Sequence, residues 1–371
     1  MALNQVGLER LNTATTKKIG MSKNLIINGA MEVAQRGTSS TSSGYHTVDR
    51  FAVYYTGTDE AQTQAQVDVA SGTTPYTLGF RKALKITNGN QTGGAGAGDH
   101  TMIQTKQEAQ DIANSGWNYT SASSYVTLSF WVKSSVAQNF YGYFRTKDGT
   151  EQRYAFETGS LSADTWTKIT KTIPGNSNLQ FDNDANQGTE INISPFMGTN
   201  FTDSGVSLNT WGAYSGSTRA PDYTSTWYTT NDATFEITGV QLEVGSVATP
   251  FEHRSIGEEL IRCQRYYEKS YQLGDAPGTN TNVGSVMFLT NRSPGTAHTM
   301  LRYQTRKRAA PTLISYSSTE SNTTGMRNLD DGVTYNYTMN RNGETGCTAY
   351  PTGSLNLGRF IQFHYTADAE L

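Results

Sequence analysis

The stretch FEITGVQLEVGSVATPFEHRSIGEELIRCQRYYEKSY, Phe235 to Tyr271, decides the organisation of this chain. It begins with the alternation of a β-strand, and then a short turn, a capped helix and a second β-rich stretch follow. The alternation changes parity after Ile237, and a single extra residue at Thr238-Gly239 would restore one apolar face. The stretch therefore predicts a β-bulge there, and it divides the chain into a large β module and a smaller C-terminal one.

The helix in this stretch is predicted to begin at Ser255, a favourable N-cap residue, with Glu258 placed to complete a capping box. The residues expected on one face of the helix follow at spacings of four, three and four: Ile256, Leu260, Cys263 and Tyr267. Such a face either packs on the chain's own sheet or forms a seam between subunits. We expect these four residues at an oligomer interface, with packing on the chain's own sheet as the alternative.

The composition is typical of an all-β protein. The 371 residues include 36 Gly, 21 Tyr and 14 Phe, while only 16% are charged. Runs such as YVTLSFWVKSS, NFYGYFR and TWTKITKTIPG alternate between apolar and polar positions, and loops rich in Gly, Asn and Ser separate them. A chain of this length usually forms more than one domain. These features predict a β-sandwich followed by a second β domain.

Charge and hydropathy bear on partners and location. The net charge of −3 provides no basic face for nucleic acid. No stretch approaches the roughly 20 apolar residues that cross a bilayer, so we expect no membrane insertion. The opening MALNQVGLERLNTATTKK lacks the apolar run of a signal peptide, which predicts synthesis in a cytoplasm. The two cysteines are too few for a disulfide framework.

Signals for catalysis or metal binding are weak. DNDANQG, Asp182 to Gly188, places oxygen ligands at alternate positions, but its glycine falls one position late and no Glu occupies the twelfth. A solvated loop is the preferred interpretation, with a structural calcium ion as the alternative, and we expect no cofactor. No GxSxG elbow is present, and Glu236 and Glu243, which would share one face of a strand, would stand about 20 Å apart, too far for a glycosidase pair. Other carboxylate pairs that meet only in the folded chain are left open by the sequence. The chain is therefore expected not to be an enzyme.

An aromatic loop, WGAYSGSTRAPDYTSTWYTTND from Trp211 to Asp232, has the composition of a saccharide site. Aromatic rings stack on the apolar face of a sugar, while Asp, Asn and Arg bind its hydroxyl groups. In the alternative interpretation, the same rings plug the end of the sandwich or form subunit contacts. The residues predicted to bind saccharide are Trp211, Tyr214, Asp222, Tyr223, Trp227 and Tyr228.

Two segments near the start of the chain, NLIINGAMEVAQRGTS and VDRF, precede three strand-like segments, VTLSFWVKSS, TWTKITKTIPG and ITGVQLEVGSVATPFEHRS. The first two resemble the start, and the other three the later strands, of a jelly-roll module in bacteriophage tail-fibre and virion-spike proteins. LIRCQRYYEKSY, KRAAPTLISYS and FHYTADAEL resemble the C-terminal part of the same proteins. This jelly roll is similar to carbohydrate-binding modules, so the resemblance implies binding of host-surface glycan.

The resemblance also implies an assembly: a homotrimer on the virion surface, attached to other virion proteins through its N-terminus. A purely structural decoration protein and a polysaccharide depolymerase are the alternative functions. Residues 1–23 are polar and are predicted to form the anchoring arm. The expected order is the arm 1–23, a jelly-roll β-sandwich 24–254, a connecting helix 255–273 and a C-terminal β domain 274–371.

Overall fold

The computed structural model describes residues 23–290, 298–352 and 356–371. The fold over these residues is nearly all β, and its main body is a jelly-roll β-sandwich, as predicted. The predicted anchoring arm falls almost entirely outside the described residues. The described helices are α1 (Thr74–Thr77), α2 (Ala109–Ala113), α3 (Thr226–Thr229) and α4 (Ile256–Gln264).

The first sheet of the sandwich is antiparallel, with six strands among the described residues. They are β1 (Ser39–Ser40), β3 (Thr63–Asp68), β4 (Lys82–Thr87), β6 (Tyr125–Ser134), β9 (Thr167–Pro174) and β12 (Thr234–Val244). Their order across the sheet is β1-β3-β4-β12-β6-β9. Because β12 lies between strands far earlier in the sequence, this sheet cannot be complete until residue 244 has folded.

The second sheet, also antiparallel, covers the other side of the core. It contains β2 (Ala52–Thr56), β5 (His100–Glu108), β7 (Asn139–Thr146), β8 (Gln152–Ser160), β10 (Gln187–Met197) and β11 (Trp211–Ala213). The strand order is β11-β8-β7-β10-β5-β2. The chain crosses repeatedly between the two sheets, which is the connectivity expected of a jelly roll.

The core between the sheets follows the alternation read from the sequence. In β6, Val126, Leu128, Phe130 and Val132 are all at most 1% exposed. The ring of Phe130 lies 6.4 Å from that of Phe156 in β8, so the two sheets meet through these side chains. The predicted inward face of YVTLSFWVKSS is therefore confirmed.

The predicted bulge in β12 is also present. The pairing of β12 with β6 shifts register between Thr238 and Gln241. Gly239 within it has φ +64°, and a Cβ there would lie 2.7 Å from the ring of Phe80. The backbone conformation and the close ring both favour glycine at this position.

Helix α4 begins as predicted, but it ends at Gln264, so the predicted connecting helix 255–273 is wrong over its second half. Ser255 caps it and accepts a hydrogen bond from the Glu258 amide at 3.3 Å. The helix ends at Gln264, so Tyr267 lies in the following strand and not on the same helical face.

The four predicted interface residues consequently do not share one surface. Cys263 is fully buried within this chain, and Tyr267 is only 4% exposed, with the guanidinium of Arg36 3.7 Å above its ring. Ile256 is 52% exposed and Leu260 is half-buried. The prediction of a continuous Ile256–Tyr267 seam is therefore wrong for Cys263 and Tyr267, which pack inside the subunit.

The C-terminal part of the chain forms two further antiparallel sheets among the described residues. One contains β13 (Tyr267–Lys269), β14 (Val286–Leu289), β16 (Thr312–Ser317), β17 (Met326–Asn328), β18 (Thr334–Tyr335) and β21 (Phe360–Asp368). The other contains β15 (Thr299–Arg302), β19 (Tyr337–Gly343) and β20 (Gly346–Pro351). A separate apolar cluster that includes Leu301, Met326 and Phe363 holds these sheets together.

Buried charges join this C-terminal part to the sandwich. The Glu370 carboxylate pairs with Arg50, and it lies 3.4 Å from Arg36, which also contacts Asp368 at 2.9 Å. Burial alone would lower the pKa of Arg50, but the neighbouring Glu370 carboxylate offsets this effect and the pKa is raised. Because such contacts tie the two parts together, their division into separate domains stays a prediction.

The Glu370→Ala variant tests this junction. Loss of the carboxylate leaves the buried Arg50 guanidinium without its anionic partner, so we expect destabilisation by about 3–5 kcal/mol in chemical denaturation. Glu344→Gln is the control, because its pair with Arg306 is exposed and should contribute less than about 1 kcal/mol. Equal, small losses in the two variants would contradict a junction held by buried charge.

Candidate functional site

The outer face of the second sheet carries an unusual set of side chains for a solvent-facing surface. Alternation in β7 sends Phe140 and Phe144 into the core, where both are fully buried. The intervening residues Tyr141, Tyr143 and Arg145 therefore project from the opposite face. Aromatic and charged groups thus stand together on this outer surface.

The chain between β10 and β12 folds over part of this face. The Tyr214 amide donates to the Glu151 carbonyl at 2.9 Å, which fixes the loop after β11 beside the edge of the sheet. The Arg219 amide donates to the Phe201 carbonyl at 2.9 Å, and its guanidinium lies 4.6 Å from the Phe201 ring centroid. These contacts hold Tyr214 and Arg219 against the outer face.

The sheet and this loop line an open cleft of about 330 Å³. Four strands and the loop contribute its walls, which combine rings, amides and charged groups. The lining residues are Tyr54, His100, Met102, Gln104, Lys106, Tyr143, Arg145, Glu190, Tyr214 and Arg219. We take this cleft as the candidate functional site.

A row of buried polar side chains forms the floor of the cleft. Gln104 Nε2 donates to Asn192 Oδ1 at 3.0 Å, and Arg145 Nη1 lies 3.2 Å from Glu190 Oε1. Asn192 joins the two pairs, since its Nδ2 donates to Glu190 Oε1 at 3.3 Å. No hydrogen bond from the described residues reaches Gln104 Oε1, so this oxygen is available to a donor in the cleft.

Three tyrosines line the cleft. Tyr143 is only 1% exposed and lies on the floor, with its ring 6.4 Å from that of Tyr214. The guanidinium of Arg145 lies 3.5 Å from the Tyr214 ring centroid and fixes that ring. Tyr54 is half-buried on the edge strand, and no ring or cation of the described residues covers it. Burial raises the pKa of Tyr54, Tyr143 and Tyr214, so all three phenols are neutral donors.

His100 occupies one end of the cleft. Its ring stands edge-on to Phe201 at 5.1 Å, and its buried Nδ1 has no hydrogen-bond partner among the described residues. Burial and then the nearby Arg219 guanidinium lower the pKa of His100 to about 4. The imidazole is therefore neutral at physiological pH.

The opposite end of the cleft approaches the C-terminal segment. Lys106 Nζ donates to the Leu371 carbonyl at 2.6 Å, and burial lowers the pKa of this lysine. The Lys106 carbonyl in turn accepts a hydrogen bond from Arg50 Nη2 at 2.6 Å. The cleft is thus continuous with the buried charges that join the two parts of the chain.

The structure distributes the six predicted saccharide-binding residues among different places. Tyr214 lines the cleft, and Trp211 lines a neighbouring cavity. Trp227 and Tyr228 are fully buried, so neither ring offers a face to a ligand. These two rings belong to the core, which agrees with the alternative that aromatics plug the sandwich.

The remaining two predicted residues lie beside a third, smaller cavity. Asp222 is exposed and accepts a hydrogen bond from Thr202 at 2.7 Å. Tyr223 packs edge-on against Tyr141 at 5.0 Å and donates to the Tyr141 carbonyl at 3.2 Å. A saccharide role for either residue stays a prediction.

Sequence reasoning missed most of the cleft residues. Tyr54, Gln104, Tyr143 and Glu190 come from four strands that are far apart in the sequence. The available signal was the outward set of NFYGYFR, which carries Tyr141, Tyr143 and Arg145 on a face opposite the phenylalanines. An outer face with two rings and a cation is unusual for a merely solvated strand.

The described part of the chain provides little for metals. No group of three or more His, Cys, Asp and Glu side chains in it could hold an ion. In the loop considered for calcium, Asp184 Oδ1 accepts a hydrogen bond from the Asn186 amide at 3.0 Å, and the Asp182 amide donates to Asp148 at 3.0 Å. None of the described helices is long and apolar enough to cross a membrane.

The low pKa of His100 makes stability depend on pH. The His100 imidazole takes up a proton near pH 6.5 in the unfolded chain but only near pH 4 in the folded chain. Its contribution to the free energy of unfolding is therefore fully present above pH 6.5 and is lost as the pH falls toward 4. His100→Gln should show a shallower loss of denaturation midpoint over this range. An NMR titration of the His100 imidazole with a midpoint near 6.5 would refute the assignment.

Comparisons with known proteins leave the family of the chain open. No family model and no curated protein matches it. Among solved structures, the N-terminal cellulose-binding domain of β-1,4-glucanase C from Cellulomonas fimi is 11% identical, with 58% of this chain and 99% of that chain covered and a TM-score of 0.28. The family 11 carbohydrate-binding module of a Clostridium thermocellum cellulosomal cellulase is 12% identical, with 59% and 99% covered and a TM-score of 0.25.

A third similar structure is a putative sugar-binding protein from Bacteroides thetaiotaomicron. It is 12% identical, with 60% of this chain and 100% of that chain covered and a TM-score of 0.29. Each of these three similar proteins is thus named for binding cellulose, carbohydrate or sugar. Identities and scores at this level carry no argument about the ligand, which has to come from the cleft itself.

Proposed function

We propose that this chain is a non-catalytic saccharide-binding protein and that the cleft on the second sheet holds the sugar. One observation supports this most: a half-buried tyrosine, Tyr54, whose ring contacts no other ring or cation of the described residues, and a hydrogen-bonded polar floor that includes Gln104 line the same cavity. Sugars have this dual character, since the apolar face of a pyranose stacks on a ring while its hydroxyl groups need fixed partners.

The polar floor suits hydroxyl recognition because it is already ordered. Asn192 is fully buried and joins Gln104 to Glu190, so these side chains lose little entropy when a ligand binds. Gln104 Oε1 can accept a bond from a hydroxyl group, while neutral tyrosine hydroxyls and neutral His100 can donate to sugar oxygens. The volume of about 330 Å³ falls within the usual range of small-ligand sites.

The acids of the cleft favour binding over hydrolysis. A glycosidase uses two carboxyl groups about 5–9.5 Å apart. Glu190 is the only acid among the described residues that line the cleft, and it is occupied by Arg145, Gln187 and Asn192. A carboxylate held by three donors is poorly placed to transfer a proton to a leaving group.

The phage resemblance gives this binding a biological setting as a further part of the proposal. A virion appendage made in the host cytoplasm and displayed on the particle would use the cleft on host-surface glycan, and trimerisation would raise its avidity. A purely structural decoration protein is the competing function. The ordered polar floor favours the glycan-binding alternative, since decoration alone requires no such cleft.

Binding can be tested with Tyr54→Ala on a glycan array and then by calorimetry with the best-retained oligosaccharide. Loss of a stacking ring should weaken binding by about tenfold. Tyr76→Ala is the matched control, because Tyr76 is also half-buried and does not line the cleft. The proposal would be contradicted if the folded wild-type protein bound no glycan on the array, or if Tyr54→Ala bound as well as the wild-type protein.

A further inference from the structure

A second cavity of about 360 Å³ adjoins the cleft at the β11 edge of the same sheet. Arg153 of β8 and the β11 residues Trp211 and Gly212 border it on the sheet side, and a loop borders it on the other side. The full lining comprises Arg153, Asp203, Gly205, Val206, Ser207, Thr210, Trp211, Gly212 and Thr218. None of these residues lines the cleft proposed to hold the sugar.

Arg153 is the unusual member of this set. It is 8% exposed, and its Nε is buried without any hydrogen-bond partner among the described residues. Its one hydrogen bond to the described residues runs from Nη1 to the Arg219 carbonyl at the long distance of 3.5 Å. The guanidinium lies above Gly212, where a Cβ would stand 3.3 Å from Nη2. Most of its donor capacity is therefore unused.

A comparison within the chain shows how exceptional this is. Arg50 and Arg153 are the two arginines of the described residues that are less than 9% exposed over the whole residue, and Nε lacks a hydrogen-bond partner in both. Arg50 pairs with the Glu370 carboxylate, whereas no carboxylate of the described residues forms an ion pair with Arg153. Burial lowers the pKa of Arg153, and no carboxylate of the described residues lies close enough to offset this effect.

Burying part of a guanidinium without an anionic partner is destabilising, because the charge loses hydration and receives no compensation. A bound anion would supply that compensation, and the planar fork of arginine fits a carboxylate with two parallel hydrogen bonds. Trp211 borders the cavity, but its ring packs toward the core, edge-on to Tyr154 at 5.4 Å, and its Nε1 donates to the Pro174 carbonyl at 2.6 Å. The cavity is thus built around a carboxylate receptor on the outer face of the sheet.

The cavity also lies in line with the cleft. Arg153 is the cross-strand partner of Arg145, which lines the cleft, and such partners stand about 5 Å apart at Cβ. Thr218 lines the cavity and the next residue, Arg219, lines the cleft. One oligosaccharide could therefore place neighbouring units in the two spaces.

We propose that the Arg153 cavity binds the carboxylate of an acidic saccharide, such as a uronic acid unit, as an extension of the cleft. The inference rests on the proposed saccharide binding and adds the ligand class. Asp203 on the wall, whose Oδ1 accepts from the Gly205 amide at 2.7 Å, is left to accept a hydroxyl group of the same sugar.

The test compares an oligogalacturonate with its carboxyl-reduced counterpart, which has the same linkages and no charge. Wild-type protein should bind the acidic form at least about tenfold more tightly than the reduced one. Arg153→Gln should bring this ratio close to one. Lys168→Gln, which removes one exposed positive charge from the first sheet, is the matched control and should keep the wild-type ratio.

A second measurement does not depend on the ligand. Without saccharide, Arg153→Gln should raise the denaturation midpoint, since it removes an uncompensated buried charge, whereas Arg145→Gln should lower it by breaking two ion pairs. Inorganic sulfate that displaces the oligogalacturonate fully would show a general anion site and overturn the saccharide assignment.

The remaining outcomes separate the two proposals. Equal binding of the acidic and reduced forms, unchanged by Arg153→Gln, would overturn the acidic subsite while leaving saccharide binding intact. A glycan array that retains no saccharide, neutral or acidic, would overturn both. If the wild-type protein prefers the acidic form and Arg153→Gln has the same ratio of affinities for the acidic and reduced forms, another residue recognises the acid and the proposed role of Arg153 is wrong.

Discussion

The two-residue period of the second sheet is the constraint on which the rest of the structure depends. Phe144 must point inward to complete the core, and this places its neighbours Tyr143 and Arg145 on the outer face. A slip of one residue would exchange the two sets and destroy the core and the cleft together. The binding surface is thus specified by the same register that specifies the core.

The outer face of this sheet carries one arginine that is paired with acidic side chains and one that is not. Arg145 is held between Glu190 and Glu151, so this part of the floor is ordered before any ligand arrives. Arg153, its cross-strand partner, has no such acid among the described residues. In our interpretation, these two adjacent arginines have opposite roles. Arg145 positions the surface, whereas Arg153 stays unpaired and can bind a ligand, which lowers the stability of the free protein.

Local features were predictable from sequence, and long-range ones were not. The bulge at Gly239 and the cap at Ser255 were confirmed because a few neighbouring residues determine each of them. Trp227 was assigned to a ligand site because sequence cannot distinguish a loop ring that faces solvent from one that seals a core. Glu190 was not predicted as a site residue because it joins the cleft only once β10 lies between β5 and β7 in the folded sheet.

The Arg50–Glu370 junction has a consequence for how the chain opens. Separating the C-terminal sheets from the sandwich would strip Arg50 of its anion and release Lys106 from Leu371, so partial detachment is penalised from its first step. Local opening of one module alone is therefore suppressed, and the two modules should open together in one cooperative transition. A ligand bound in the cleft would therefore slow hydrogen exchange in strands that it does not contact.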